Sequence, residues 1–463
     1  SRDFRLMLTA DGMFPPDVVR RFLGRSGGWS LALLSDSDAW AATVLGAEAV
    51  AGVLLGLGLL TRPATLLGWL AVVSLARRAP PAGNAADAWL ACQLLWAMFV
   101  PLDRRWSLDA RRRGTGGGPS TEFSAGTAAV VLQLAAVYAV AGLGKCNPNW
   151  MSGEAVRHAL SVHDHGTGLG MRLAEAAWVR PLSWGVPALE VLGAILVLAR
   201  PTARVRAGLV VVFSAFHLAI WLTMSVGLFS PIALTAWLAM VPSAWWPPAS
   251  SAASTVRTRL PAAAEAACWA TMVLMGLGLL RGLGRGSATT AMESRIDFLL
   301  NATALQQRWR MFGDVPAQVQ WVTGRARLAD GREVDLLRGG RDPVCVPPAD
   351  GFTALPHHRW QEIFWVLPQA RMRDFGPGVA AGLAGRWNRS HPVLQRVVDL
   401  EIRHGREMAD GTRQEVLVAS WPARSSLGGG GLERFLHAAT DPERGLEPAL
   451  SSEPARTSAA PGP

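Results

Sequence analysis

The sequence predicts a mainly α-helical membrane protein: a polytopic bundle of about eight spans followed by a small α+β domain. Three observations predict it. Half of the 463 residues are hydrophobic and only 17% are charged. The apolar residues are gathered into runs of roughly 16–22 residues, the length a helix needs to cross a bilayer. Near residue 295 these runs stop and a mixed, alternating sequence begins.

The first run covers 39–60, and two shorter ones follow at 64–76 and 87–102. The rest are 123–143, 182–199, 207–224, 228–246 and 262–280. A soluble helical protein would not repeat charge-free segments of this kind so often. The run at 64–76 is short enough to be re-entrant, or to extend into the Arg pair behind it. Residues 1–24 read as a connecting segment. The chain starts at Ser1, and a short N-terminal piece with one more span is expected before it. The bundle is assigned to residues 1–295.

Residues 296–423 read as one soluble domain of ordinary size. Gln318–Leu328 and Glu333–Leu337 flank Asp330-Gly331, which is a hairpin signal. Trp360–Leu367 and Val379–Trp387 each have one apolar face and read as helices. Glu415–Trp421 reads as a strand. The remaining 424–463 is rich in Gly, Ser, Ala and Pro and reads as a disordered tail.

Several function classes are excluded or weakened. The net charge is +10, yet many arginines sit in loops beside apolar runs, as membrane topology requires. Nucleic acid is therefore not an expected partner; the lipid bilayer is. The Arg, Ala and Gly richness fits a GC-rich bacterial genome. Cys92, Cys146, Cys268 and Cys345 have no CxxC spacing, so neither a disulfide framework nor a zinc site is indicated. His163-Asp164-His165 has metal-ligand residue types, but so short a spacing usually marks a solvated turn. No metal is predicted.

Loop charge suggests an orientation. The loops at 61–63, 103–122, 200–206 and 247–261 share a side if spans alternate, and together carry eleven Arg. The short loops at 77–86 and 225–227 carry two, Arg77 and Arg78. Assigning the first set to the cytoplasm of a bacterial inner membrane leaves Lys145 and residues 296–423 extracytoplasmic.

Ionisable groups within a span cost roughly 2.5–3.5 kcal/mol on insertion scales and are functional candidates by default. Here they are Glu48, Glu190, His217 and, near a span end, Glu265. Glu48 and Glu190 read equally as an interhelical ion pair or hydrogen bond, and His217 as an interhelical histidine or a catalytic one. The chain has one lysine, Lys145, against 44 arginines, and one tyrosine, Tyr138. Lys145 stands where the fourth long run ends. Burial there disfavours the ammonium, so a free amine could serve as a base. The alternative is an interfacial lysine that reaches to the headgroups.

The stretch Tyr138, Ala141, Gly142, Lys145, Trp150, Gly153 resembles the Y-x-x-A-G-x-x-K-x-x-x-x-W-x-x-G block of the HTTM family. HTTM is the transmembrane domain shared with vitamin K-dependent gamma-carboxylases. Gly58–Arg62 and Trp106-Ser107-Leu108-Asp109 are similar to two further family elements. Phe216-His217, Ser225–Phe229 and Trp309-Arg310-Met311-Phe312 are similar to three more. The resemblance runs from about residue 40 to 421.

The resemblance implies a lysine base at Lys145 that deprotonates a reduced quinone, vitamin K or menaquinone. O2 and CO2 would be co-substrates, and the gamma-carbon of a glutamate in a secreted peptide or related acid would be carboxylated. An intramembrane pocket would keep anionic intermediates from water. Tyr138 and His217 would line that pocket, and Trp150 would anchor the turn. The family's Asn-His pair corresponds here to Asp103-Arg104, ahead of Trp106, a departure in charge and shape at a position held to contact the quinone. Two other functions are carried beside the carboxylase: a non-carboxylating factor for maturation or export of a secreted peptide, and a transporter or lipid-binding protein. The transporter ranks last because no inverted repeat is visible.

Overall fold

A computed structural model describes residues 3–104, 106–114, 121–161, 163–199, 201–246, 255–257, 260–283, 291–313, 315, 318–344, 346–408 and 410–423. The tail from 424 and Cys345 lie outside the described residues. All eight apolar runs are helical. After an amphipathic helix α1 (Pro16–Ser26) come α2 (Asp38–Leu57), α3 (Thr61–Arg78) and α4 (Ala85–Ala97). Then follow α5 (Ala125–Gly144), α6 (Val179–Leu198), α7 (Ala203–Thr223), α8 (Phe229–Trp237) and α9 (Ala262–Leu283). α10 (Ala291–Ala302) leads towards the soluble domain.

Five of these helices, α2, α5, α6, α7 and α9, are long and apolar enough to cross a membrane. They mark a multi-pass membrane protein. The expected count of about eight is not reached on that measure. α3 carries three arginines, α4 has 13 residues, and α8 has nine before tightening into a 3-10 turn. α5 is the central helix: 56% of its apolar window is buried inside the protein, against 17–33% for the other four.

Local chemistry sets the helix ends. Ser37 caps α2 by accepting from the Trp40 N–H. Asn84 with Asp87, and Ser124 with Thr127, form capping boxes at the starts of α4 and α5. α2 ends at Gly58, whose φ of 62° is left-handed. An added Cβ there would lie 2.3 Å from Ser107 Cβ, so only glycine fits. Asp109 then caps α3, accepting from the N–H groups of Leu60 at 3.2 Å and Thr61 at 3.0 Å, and from the Thr61 hydroxyl at 3.0 Å. These backbone donors hold the Asp109 carboxyl below the usual carboxylate range. Two of the motifs that carried the resemblance, Gly58–Arg62 and Trp106–Asp109, are thus one structural clasp.

The soluble domain is an antiparallel sheet in the order β2-β1-β3-β4: β1 is Gln318–Leu328, β2 Glu333–Asp335, β3 Val397–Met408 and β4 Arg413–Trp421. The expected hairpin is present, with Gly331 at φ 88° in its turn. The two expected helices are α11 (His358–Val366) and α12 (Gly376–Ser390). β3 was not anticipated, although it is a central strand. The core joins Val322, Leu400 and Ile402 of the sheet to Ile363, Phe364 and Val379 of the helices. Leu6, Phe14, Val19 and Leu23 belong to the same core, so the N-terminal segment packs into the soluble domain rather than merely connecting. Arg359 fixes this domain to the bundle through a bidentate pair with Asp87, at 2.7 and 2.9 Å.

Candidate functional site

The end of α5 builds the first half of the site. Gly142 leaves no room for a side chain: a Cβ would lie 3.0 Å from Glu190 Cβ and 3.0 Å from the Pro187 carbonyl. α6 can therefore approach closely, and it brings Glu190 to Lys145. The Lys145 ammonium donates to Glu190 Oε2 at 2.8 Å and Oε1 at 3.1 Å, and to the Ala141 carbonyl at 3.3 Å. Both side chains are sealed, with exposures of 4% and 7%. Lys145 Nζ also sits 5.6 Å from the Trp150 ring centroid, a cation–π contact. Lys145 is therefore neither snorkelling nor free. It is one member of a buried ion pair.

The turn after Lys145 is pinned from the other side of the sequence. Asn147 Nδ2 donates to the carbonyls of Gly144 at 3.0 Å and Gly313 at 2.5 Å. Trp150 Nε1 donates to the Phe312 carbonyl at 2.8 Å. Trp150 thereby ties the turn to the 309–312 motif, which supplies the carbonyl it donates to.

Two helical turns earlier on α5 lies the second half, about 10 Å along the axis. Trp237 Nε1 donates to the Tyr138 hydroxyl oxygen at 2.7 Å. The Tyr138 hydroxyl also lies 2.5 Å from His217 Nε2, a bond whose direction depends on the His217 tautomer; with the O–H donating, the neutral ring carries its proton on Nδ1. His217 is buried, and among the described residues its Nδ1 has no hydrogen-bond partner. Trp89, Phe213 and Phe229 enclose the group. A cavity of about 900 Å³ shares the Trp89 side chain with this group and runs toward the start of α5; Trp96, Leu134, Val197 and Met240 line it, and Tyr138, His217 and Lys145 do not.

The other expected residues lie elsewhere. Asp103 pairs with Arg113 at 2.8 Å and receives the Ser107 hydroxyl on its carbonyl at 2.8 Å. Arg104 is its chain neighbour, and Trp106 is 59% exposed with its ring 4.9 Å from that of Trp246. All three are at the start of α5, where Gly126 lies against the Phe99 carbonyl. An unbroken helix of 20 residues separates that end from Lys145, about 30 Å away. The single pocket expected from the sequence is therefore divided. Glu48 is half-buried on α2, and its electrostatic neighbours are Asp87 and Arg359, not Lys145.

His163, Asp164 and His165 join a separate cavity of about 370 Å³ between bundle and sheet. His165 pairs with Asp164 at 2.6 Å, and His358 with Glu362 at 3.0 Å. Burial holds His158 and His163 below the usual imidazole range. Among the described residues, no group of three or more His, Cys, Asp or Glu side chains could hold a metal ion. Cys92 and Cys268 are buried free thiols and Cys146 is exposed.

Sequence reasoning missed Trp237, Gln133 and Gln307. Gln133 Nε2 donates to Gln307 Oε1 at 2.8 Å inside the bundle, and Trp309 Nε1 donates to the same oxygen at 2.6 Å. Gln133 is the one carboxamide in its run, which is a signal. Trp237 gave none, because a tryptophan in an apolar run reads as apolar. Residues 89–245, from α4 to α8 with Tyr138, Lys145, Glu190 and His217 among them, match the family model described as the HTTM domain. No curated protein and no solved structure matches the chain.

Proposed function

We propose that this chain uses its HTTM domain as a membrane-embedded enzyme of the gamma-carboxylase type, with the Lys145–Glu190 pair as its base. The observation that carries the proposal is the burial of the only lysine at the end of the central helix, against a single carboxylate. A buried pair of this kind holds one exchangeable proton between an amine and a carboxylate. The pair is neutral overall whichever partner carries the proton, so moving it creates no net buried charge. Arginine could not serve, because it does not deprotonate in proteins.

The recess that shares Trp89 with the Tyr138 group fits a lipid-soluble hydroquinone, reduced vitamin K or menaquinone. Its walls are mostly apolar, and Gln93, Gln133 and Arg206 are the polar groups in its lining that could meet a ring oxygen. When bound, such a group with O2 and CO2 would supply the oxidative driving force for carboxylating a glutamate or related acid. Tyr138 and Trp237 hold the His217 ring in place. As a base, Lys145 would first pass its proton to Glu190 and then take up the substrate's proton on Nζ, so that the single positive charge gained by the pair is matched by the negative charge left on the group that gave the proton. In this reading α3, α4 and α8 also lie in the bilayer, giving eight spans. The arginine-rich loops face the bacterial cytoplasm, and residues 296–423 face outward with the N-terminal segment packed into them.

The test is quinone epoxidation by the purified chain, supplied with reduced vitamin K or menaquinone. Epoxide from wild type and none from Lys145→Ala supports the reading. Equal inactivity of both with every quinone tried removes it. The alternative is then a non-carboxylating factor for maturation or export of a secreted peptide. One observation favours that alternative: Asp103 and Arg104, which replace the family's Asn-His, lie at the far end of α5 from Lys145.

A further inference from the structure

At the end of the bundle that carries Lys145, α3 and α4 part and leave a groove of about 730 Å³ against α1. Its floor is apolar and includes Phe22, Val73, Ala76 and Ala88. Its rim carries Arg25, Arg77, Arg308 and Arg371. The acids nearby are already engaged. Asp87 holds Arg359 at 2.7 Å, and Asp374 takes Arg25 at 3.1 Å. Arg77 gives its guanidinium to the carbonyls of Trp29 and Asn301. Arg308 and Arg371 are different. They repel each other across the groove. Among the described residues, neither is bonded to a carboxylate, and Arg371 Nε reaches only the Gln369 side-chain oxygen at 3.1 Å. The cationic rim continues past Arg308 to Arg295, where the nearby Asp297 is engaged by Arg281 at 2.8 Å.

Two guanidinium groups that line one groove without a bonded acid make a site for a phosphate oxygen. The apolar floor is formed by Val73 and Ala76 of α3 and Ala88 of α4, with Phe22 of α1 beside them. A soluble anion would have no use for that floor, whereas an acyl chain would. We propose that this groove binds an anionic phospholipid, its phosphate between Arg308 and Arg371 and one acyl chain along α3. The proposal goes beyond the carboxylase reading and does not depend on it.

The test uses the full chain, delipidated in a nonionic detergent and titrated by native mass spectrometry. Three probes are compared: dioleoyl phosphatidylglycerol, dioleoyl phosphatidylcholine and inorganic phosphate. Wild type is expected to prefer the phosphatidylglycerol. R308Q/R371Q should weaken that binding at least about tenfold, at roughly 1 kcal/mol per basic residue near an anionic lipid surface. R308K/R371K should keep most of it and shows that the positions tolerate change. Equal binding of the two lipids overturns the proposal, as does unchanged phosphatidylglycerol binding by R308Q/R371Q. Inorganic phosphate binding as tightly as the lipid would make the groove a free-phosphate site and refute the lipid assignment.

Discussion

Lys145→Arg separates a catalytic lysine from a structural one. Arginine keeps the charge, can still pair with Glu190 and can still lie over the Trp150 ring, but it cannot give up its proton. Removing one partner of a buried pair costs about 3–5 kcal/mol, because the other charge is left uncompensated. Lys145→Ala should therefore lower stability by about that amount, and Lys145→Arg by clearly less. The activity prediction runs the other way. General-base catalysis contributes about 10²–10⁴-fold, so Lys145→Arg should lose quinone epoxidation by that factor while remaining folded. The conversion of about 1.4 kcal/mol per decade makes this roughly 3–5 kcal/mol of barrier. The assay pairs epoxide formation in detergent with thermal unfolding of the same preparations. Wild-type epoxide rates from Lys145→Arg would refute the base role. Stability lost to the same extent in the Arg and Ala variants would refute the claim that Glu190 needs only a cation.

Tyr138→Phe leaves the Trp237 N–H and His217 Nε2 without the hydroxyl that joins them. Each buried unpaired group costs about 1–3 kcal/mol, so the melting temperature should fall, and the loss should shrink in a Trp237→Phe background. Asp109→Ala should loosen the start of α3 and make it more open to proteolysis near Leu60. Because the folded Asp109 carboxyl is held low, its contribution is present above the unfolded carboxyl value of about 3.9 and fades as pH falls through the folded value. Wild type should therefore lose stability in acid more steeply than Asp109→Ala, and parallel acid melts of the two would contradict this.

Much of the bundle was legible because apolar run length and helix caps are written locally. Asn84 and Ser124 at helix starts and Gly58 at a helix end are residue types that set such ends by local chemistry. The number of helices able to cross was less legible, since α3, α4 and α8 form under apolar runs but are too charged or too short. Lys145 and Glu190 each stood out as ionisable groups in apolar surroundings. Their pairing did not, because it depends on how closely α6 packs on Gly142 after a long intervening loop. Asp103 and Arg104 were drawn to the site by motif order alone, and motif order does not record distance along a helix. β3 carried its own signal, since Val398-Asp399-Leu400-Glu401-Ile402-Arg403 alternates apolar and polar residues and Leu400 and Ile402 are buried. Its charges are met locally: Glu401 pairs with Arg403 at 2.9 Å, and Glu407 with Arg413 on the neighbouring strand. The N-terminal packing was legible in part: Val19, Phe22 and Leu23 share one face of α1 at helical spacing.

The segment between α10 and β1 ties the lysine turn to the soluble domain, and this connection is testable. Gln307 reaches into the bundle to receive Gln133 Nε2 at 2.8 Å and Trp309 Nε1 at 2.6 Å on one oxygen. A few residues later, the carbonyls of Phe312 and Gly313 receive Trp150 and Asn147, which shape the turn behind Lys145. The chain then enters β1. A displacement of the sheet domain must therefore either carry the lysine turn with it or break these bonds. Gln307→Leu strands two buried donors at once, at about 1–3 kcal/mol each. Gln133→Leu/Gln307→Leu removes the Gln133 donor together with its acceptor, but it strands Trp96 Nε1, which donates to Gln133 Oε1 at 3.3 Å, beside Trp309 Nε1. Two donors are stranded in either case, so the double variant should be about as stable as Gln307→Leu and not lower by the full cost of a second core substitution. Hydrogen exchange at Asn147–Met151 should rise to a similar extent in both. If the two losses add, or if exchange at the turn ignores Gln307, the segment is a passive linker and the coupling argued here is absent.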